Sequence, residues 1–210
     1  MRQRKAKNME ERLTALKHYL IETPGEYKGD WHSVFENKGP LYLELGCGKG
    51  QFLIGQAQAN TDANFIGIEG QDSVLLRALE KTDAAEIVNI RFIHMFVRDI
   101  RDLFGDGELS GIYLNFSDPW PKARHAKRRL TYGEYLVRYK QVLREDGFIA
   151  VKTDNDGLFD FTLEEIERLG LEIKEMTRDL HSSDYAAREI TTEYEDKFRS
   201  AGKNINYVLL

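Results

Sequence analysis

Short apolar runs alternate with amphipathic stretches along most of this chain. "LYLEL" (41–45) is β-like and stops at glycines, and "QFLIGQAQA" (51–59) reads as a helix. "NFIGIEG" (64–70) and "NIRFIHM" (89–95) repeat the buried-strand pattern around a second helical stretch, "SVLLRALEKT" (73–82). A fourth apolar run, "GIYLNFS" (111–117), precedes helix-spaced apolar residues over 133–146, ended by Gly147. "FIAVKT" (148–153) predicts a fifth strand, and "FDFTLEEIERLG" (159–170) a helix closed by Gly170. Two more β-like runs follow at 171–176 and 205–210.

Parallel strands need crossover connections, so five β-α alternations predict a parallel sheet with helices on both faces. The last two runs, with no helix read between them, predict an antiparallel edge hairpin. The expected fold is therefore α/β and doubly wound, a mostly parallel seven-stranded sheet of Rossmann-like type. One domain is expected over residues 26–210, after a basic arm and leading helix over 1–25. Such sheets bind ligands outside the carboxyl ends of their strands, where the strand order reverses. That directs attention to residues 44–50, Glu69, residues 96–99, residues 118–121 and Asp154.

Charge sharpens the picture. The chain of 210 residues totals −5, yet residues 122–129 hold five Lys/Arg and residues 1–8 another four. Positive charge is segregated, which suggests an anionic partner meeting one face; a merely solvated face is the competing reading. A single cysteine, Cys47, excludes a disulfide framework and predicts a reducing, cytoplasmic setting. No run approaches the ~18 apolar residues of a membrane span.

"ELGCGKG" (44–50) closes the first strand and opens the first helix. Gly46, Gly48 and Gly50 allow a tight turn and close approach of a ligand to the backbone. A dinucleotide site wants G-x-G-x-x-G. Here the third glycine comes one residue early, and Glu44 would repel a pyrophosphate but suits a cation such as S-adenosylmethionine. Glu69, at the end of the second strand, suits the two ribose hydroxyls of any nucleoside. Cys47 is expected to be a small filler, and neither it nor the five histidines show metal-ligand spacing, so no metal is expected.

"YLNFSDPWPK" with "RH", "KRRLT", "KTDN" and "TEYEDKF" (192–198) resembles the bacterial tRNA (guanine-N7)-methyltransferase family over roughly residues 26–200. The resemblance implies a class I S-adenosylmethionine-dependent methyltransferase acting on a variable-loop guanine of tRNA. It implies cofactor contacts at Glu44, Gly46, Glu69 and Asp118, and the chemistry of the residues makes Asp118 the expected catalytic group. Substrate contacts are implied at Lys122, Asp154, Thr192, Glu193, Tyr194 and Glu195, and RNA contacts at Arg124, His125, Lys127, Arg128 and Arg129. The protein is expected to be a monomer or homodimer with tRNA as partner and neither DNA nor membrane.

This chain departs from the family pattern in three places. Ala123 and Ala126 trim the polar content of the basic run, and Phe96 stands where many members carry an acid near the adenine. Adenine is then expected to be held by backbone groups and apolar contact.

From the residues alone, Asp118 could stabilise charge on the purine or read the guanine edge, with Asp154 filling the other role. A turn-capping aspartate remains the plain alternative. Trp120 suits base stacking or packing. "TEYE" reads equally as a substrate loop and as a helix start with Thr192 as N-cap. An amino-group methyltransferase and a non-catalytic RNA-binding protein are the competing functions.

Overall fold

The computed structural model describes residues 8–210; the first seven positions of the expected basic arm lie outside the described residues. Seven strands form one sheet: β1 (Leu41–Leu45), β2 (Asn64–Glu69), β3 (Ile90–His94), β4 (Leu109–Asn115), β5 (Leu143–Thr153), β6 (Glu175–Thr177) and β7 (Asn206–Leu209). Their order is β3-β2-β1-β4-β5-β7-β6. The first five are parallel, while β7 pairs antiparallel with both β5 and β6. The order reverses between β1 and β4, the position where doubly wound sheets open a ligand crevice.

Alternation along the strands divides the core. Leu43, Ile66, Ile112 and Ile149 face one way, under the helices α4 (Gly133–Val142) and α5 (Asp156–Leu169). Phe65 and Phe92 face the other way, under α2 (Gln51–Ala59) and α3 (Asp72–Ala84). Trp31, fully buried, donates its indole N–H to Leu103 O at 2.8 Å and stacks on Phe104. The leading helix α1 (Met9–Ala15) also docks: Met9 and Leu13 pack on the second cluster and Arg12 pairs with Glu80. None of the helices described is long and apolar enough to cross a membrane.

Two predicted elements differ. The helix expected over 133–146 ends at Val142, because Leu143 turns extended and pairs with Leu109, with an irregular register before Gly111. The three charged residues that follow are exposed and looked helical only because one solvated face suits either period. The antiparallel edge forms as expected, but without a tight turn between its two strands. Residues 178–205 separate them and include α6 (Glu193–Ser200), which starts at Thr192 as the helix-start reading of "TEYE" anticipates.

Candidate functional site

The β1–α2 loop is folded tightly over β2: the N–H groups of Gly46 and Cys47 both donate to Ile68 O, at 2.8 and 3.1 Å. Gly46 and Gly48 have φ of +73° and +59° with open space where a Cβ would stand, so conformation rather than crowding demands glycine. Cys47 is buried and fills the gap above Gly67, and burial raises its thiol pKa well above the ordinary value.

Glu44 lies beneath this loop, 2% exposed. Its Oε1 accepts from Asn115 Nδ2 at 2.8 Å, while Oε2 has no partner among the described residues. Burial pushes its pKa up to about 8, against which the Asn115 hydrogen bond works. Burial thus favours the protonated form of Glu44, and a cation placed at Oε2 would favour the carboxylate expected at the loop. Glu69 sits nearer the surface and ties two loops together, accepting from Gly48 N at 3.1 Å and Gln71 N at 2.9 Å.

A cleft of about 370 Å³ opens across the ends of β1 to β4, lined by Gly46, Glu69, Gly70, Phe96, Asn115, Ser117, Asp118, Trp120 and Arg128 among others. Asn115 Oδ1 and Ser117 Oγ are also buried without partners. Three unmatched polar atoms in one place are costly unless something fills them.

The Asp-Pro-Trp-Pro turn forms the cleft's other wall. Phe116 and Trp120 adopt φ of +52° and +41°, values that strain bulky residues by roughly 1–3 kcal/mol each. Arg129 holds the turn from behind, donating to Pro119 O at 3.0 Å and Trp120 O at 3.1 Å while lying over the Phe161 ring. Arg128 lies 4.9 Å from the centre of the Trp120 ring, and His125 meets the same ring edge-on. Asp118 is exposed at the edge of the cleft, with no hydrogen-bond or ion-pair partner among the described residues.

The basic run is thus divided. Lys122, Arg124 and Lys127 are exposed on a short 3-10 turn, whereas Arg129 is committed to the turn it follows. Arg129, expected among the RNA contacts, directs Nε and one Nη at carbonyls and lies over an aromatic face.

The expected substrate residues scatter in role. Asp154 accepts from Lys203 at 3.0 Å. Thr192 and Glu195 close on each other as the α6 capping box. Glu195 is fully buried, 3.2 Å from Lys152 and 2.8 Å from His181. Glu193 pairs with Lys81, and Tyr194 alone of these four stands out to solvent, 61% exposed. Sequence reasoning missed Lys152, which also donates to Ala187 O at 2.6 Å and Ile190 O at 3.0 Å. The available signal was a lysine inside the apolar run "FIAVKT".

Asp99 N-caps a 3-10 turn and is chelated by Arg101, with Arg138 at 3.6 Å. The Arg101 hydrogen bonds, assisted by both guanidinium charges, bring its carboxyl down to about 2. Among the described residues no group of three or more His, Cys, Asp or Glu side chains is placed to hold a metal.

A family model described as "Putative methyltransferase" matches residues 38–208. A protein of Lachnoclostridium phytofermentans named tRNA (guanine-N(7)-)-methyltransferase is 49% identical over 188 residues, covering 90% of this chain and 88% of that one. Proteins with the same name from Halalkalibacterium halodurans and Streptococcus pyogenes are 47% and 46% identical. The alignments cover 89% and 98% of this chain, and 84% and 97% of those relatives. Among solved structures, the 16S rRNA methyltransferase KamB aligns over 86% of this chain and 91% of its own, with TM-score 0.62 at 11% identity. A SAM-dependent methyltransferase from Aquifex aeolicus aligns over 97% and 98%, with TM-score 0.55 at 12% identity. At such identities the likeness concerns the fold, that of class I methyltransferases.

Proposed function

The chain belongs to the tRNA (guanine-N(7)-)-methyltransferase family, and from that premise we propose that it methylates N7 of a guanine in tRNA, using S-adenosylmethionine. The observation that carries this reading is Asp118, a carboxylate without a partner, presented to the cleft on a strained and braced turn.

The residues fit the co-substrate. The orphaned Glu44 Oε2 and Asn115 Oδ1 are acceptors suited to an ammonium, and Ser117 Oγ is a donor suited to a carboxylate. Glu69 uses one lone pair of each oxygen on backbone amides, which leaves acceptor capacity for ribose hydroxyls. When bound, S-adenosylmethionine supplies an electrophilic methyl group. Guanine N7 carries a lone pair and no proton, so the chain needs no general base. Its residues act by alignment, a proximity effect worth up to ~7–11 kcal/mol in favourable cases. Asp118 faces the positive charge that builds on the purine, and charge that develops only in the transition state is what accelerates the step.

Lys122, Arg124 and Lys127 meet RNA phosphates, which brings affinity and salt dependence rather than sequence choice. Tyr194 offers a ring to the RNA. Thr192 and Glu195 act indirectly, by fixing the start of α6. The selected guanine is one in the variable loop, chosen by RNA shape and base exposure.

The test is bulk tRNA incubated with labelled S-adenosylmethionine, followed by nucleoside analysis. Label recovered in 7-methylguanosine is expected; label on an exocyclic nitrogen, or none, overturns the reading. Asp118→Ala is expected to lower turnover at least ~100-fold while leaving tRNA affinity nearly unchanged.

A further inference from the structure

One wall of the cleft carries a side chain that polar chemistry does not account for. Phe96, just past β3, is 76% exposed, the largest exposure of any bulky apolar side chain among the described residues. Its ring lies flat enough on Gly70 that a methyl group there would overlap three ring atoms. Gly70 itself stands between Glu69 and Gln71, the two residues linked by the Glu69 carboxylate. The ring is therefore seated beside the acid suited to the ribose, on the side of the cleft away from Asp118.

The rest of that wall is mostly apolar: Met95, Val97 and Ile100 line it, and Gln71, next to Gly70, adds a neutral amide. The nearby acids are occupied elsewhere. Asp99 is held by Arg101 and Arg138, and Asp72 lies 2.8 Å from His94; neither lines the cleft. A flat, solvated ring at the nucleoside end, whose one neighbouring acid is Glu69 at the ribose, is suited to a π face and unsuited to reading an amine.

We propose that Phe96 is the residue that grips the purine of the co-substrate, so that this chain holds adenine by stacking and applies no side-chain carboxylate to its exocyclic amine. The inference rests on the reading of the cleft as an S-adenosylmethionine site. It makes Phe96 a specificity-determining residue. A site that hydrogen-bonds a donor rejects analogues lacking it by up to ~10,000-fold, whereas a stacking face accepts any purine of the right shape.

Calorimetric titration of the purified protein with S-adenosylhomocysteine and with S-inosylhomocysteine tests this without turnover. The second ligand replaces the exocyclic amine by a carbonyl. Phe96→Ala is expected to weaken S-adenosylhomocysteine about tenfold, with Phe96→Tyr within about twofold of the parent. Phe96→Asp is expected to raise the preference for the amine-bearing ligand at least about tenfold over the parent, because a carboxylate accepts from an amine and repels a carbonyl. Because Phe96 is exposed, these variants should fold, and equal melting temperatures check it. The proposal is overturned if Phe96→Ala binds S-adenosylhomocysteine as the parent does, including the case where only tRNA affinity falls. It is also overturned if Phe96→Asp leaves the ligand preference unchanged. Absence of any S-adenosylhomocysteine binding to the parent protein overturns the cofactor reading itself, a distinct result.

Discussion

Glu44 and Glu195 are both buried acids on the same protein, 2% and 0% exposed, and they are opposites in how they are satisfied. Glu195 is surrounded: Lys152 and His181 face its oxygens, and the capping box uses the rest. Glu44 has one hydrogen bond, from Asn115, and an oxygen with nothing opposite it. Burial alone does not mark function. A paired acid reads as scaffolding; a half-satisfied one, beside two further unpartnered polar atoms, is the better candidate for a ligand contact. The same contrast separates Arg129, tied to carbonyls, from Lys127 two residues earlier, which is open to solvent.

The contrast breaks first, and hardest, at the saturated acid. Glu195→Ala leaves Lys152 buried without its counter-charge, a loss of about 3–5 kcal/mol, and the melting temperature is expected to fall by roughly 10 °C in a thermal scan. Glu44→Gln should do the reverse. The amide keeps an oxygen for Asn115, so the melting temperature stays near the parent value, while S-adenosylhomocysteine binds about 10- to 100-fold more weakly in calorimetry. Equal losses of stability in the two variants would erase the distinction.

A pH series sharpens it. The folded chain keeps a proton on Glu44 up to about pH 8, whereas the unfolded chain gives it up near the ordinary carboxylate range. Glu44 therefore favours the folded state most at low pH, and this share is lost as pH rises towards about 8. Cofactor binding runs the other way: it needs the ionised acid, so affinity should rise with pH, by up to about tenfold per unit below about 8, and level off above. Glu44→Gln should flatten that profile.

Smaller effects separate the two cations. Arg129→Ala loosens the turn that carries Asp118, and kcat is expected to fall about tenfold with tRNA affinity little changed. Lys127→Ala should leave kcat alone and reduce the salt dependence of tRNA binding by up to about 0.9 log units per log unit of salt, the contribution of one phosphate contact on a duplex-like site. A matching salt effect from Arg129→Ala would return it to the RNA-facing group.

Much of this was legible in the chain itself. The β-α rhythm, the glycine loop after a strand, and acids at strand ends are local patterns, and local patterns set the parallel sheet and its crevice. What was hidden is long-range. Lys152 and Glu195 are 43 positions apart, and no spacing rule pairs them. The basic run gave five equivalent charges, since only the folded turn decides that Arg129 points back at Pro119 and Trp120. The end of α4 was misplaced because Leu143 is apolar in either period, and pairing with Leu109 decided the matter.

The left-handed backbone at Phe116 and Trp120 bears on how this protein could be engineered. Glycine at either position would relax the turn and, taken alone, would make the protein more robust to heat. It would also remove the ring that stacks on Phe198, or the one that lies between Arg128 and His125. A screen that selects only for survival at high temperature would therefore drift towards glycine at these two positions, enriching well-folded variants with a slack cleft wall.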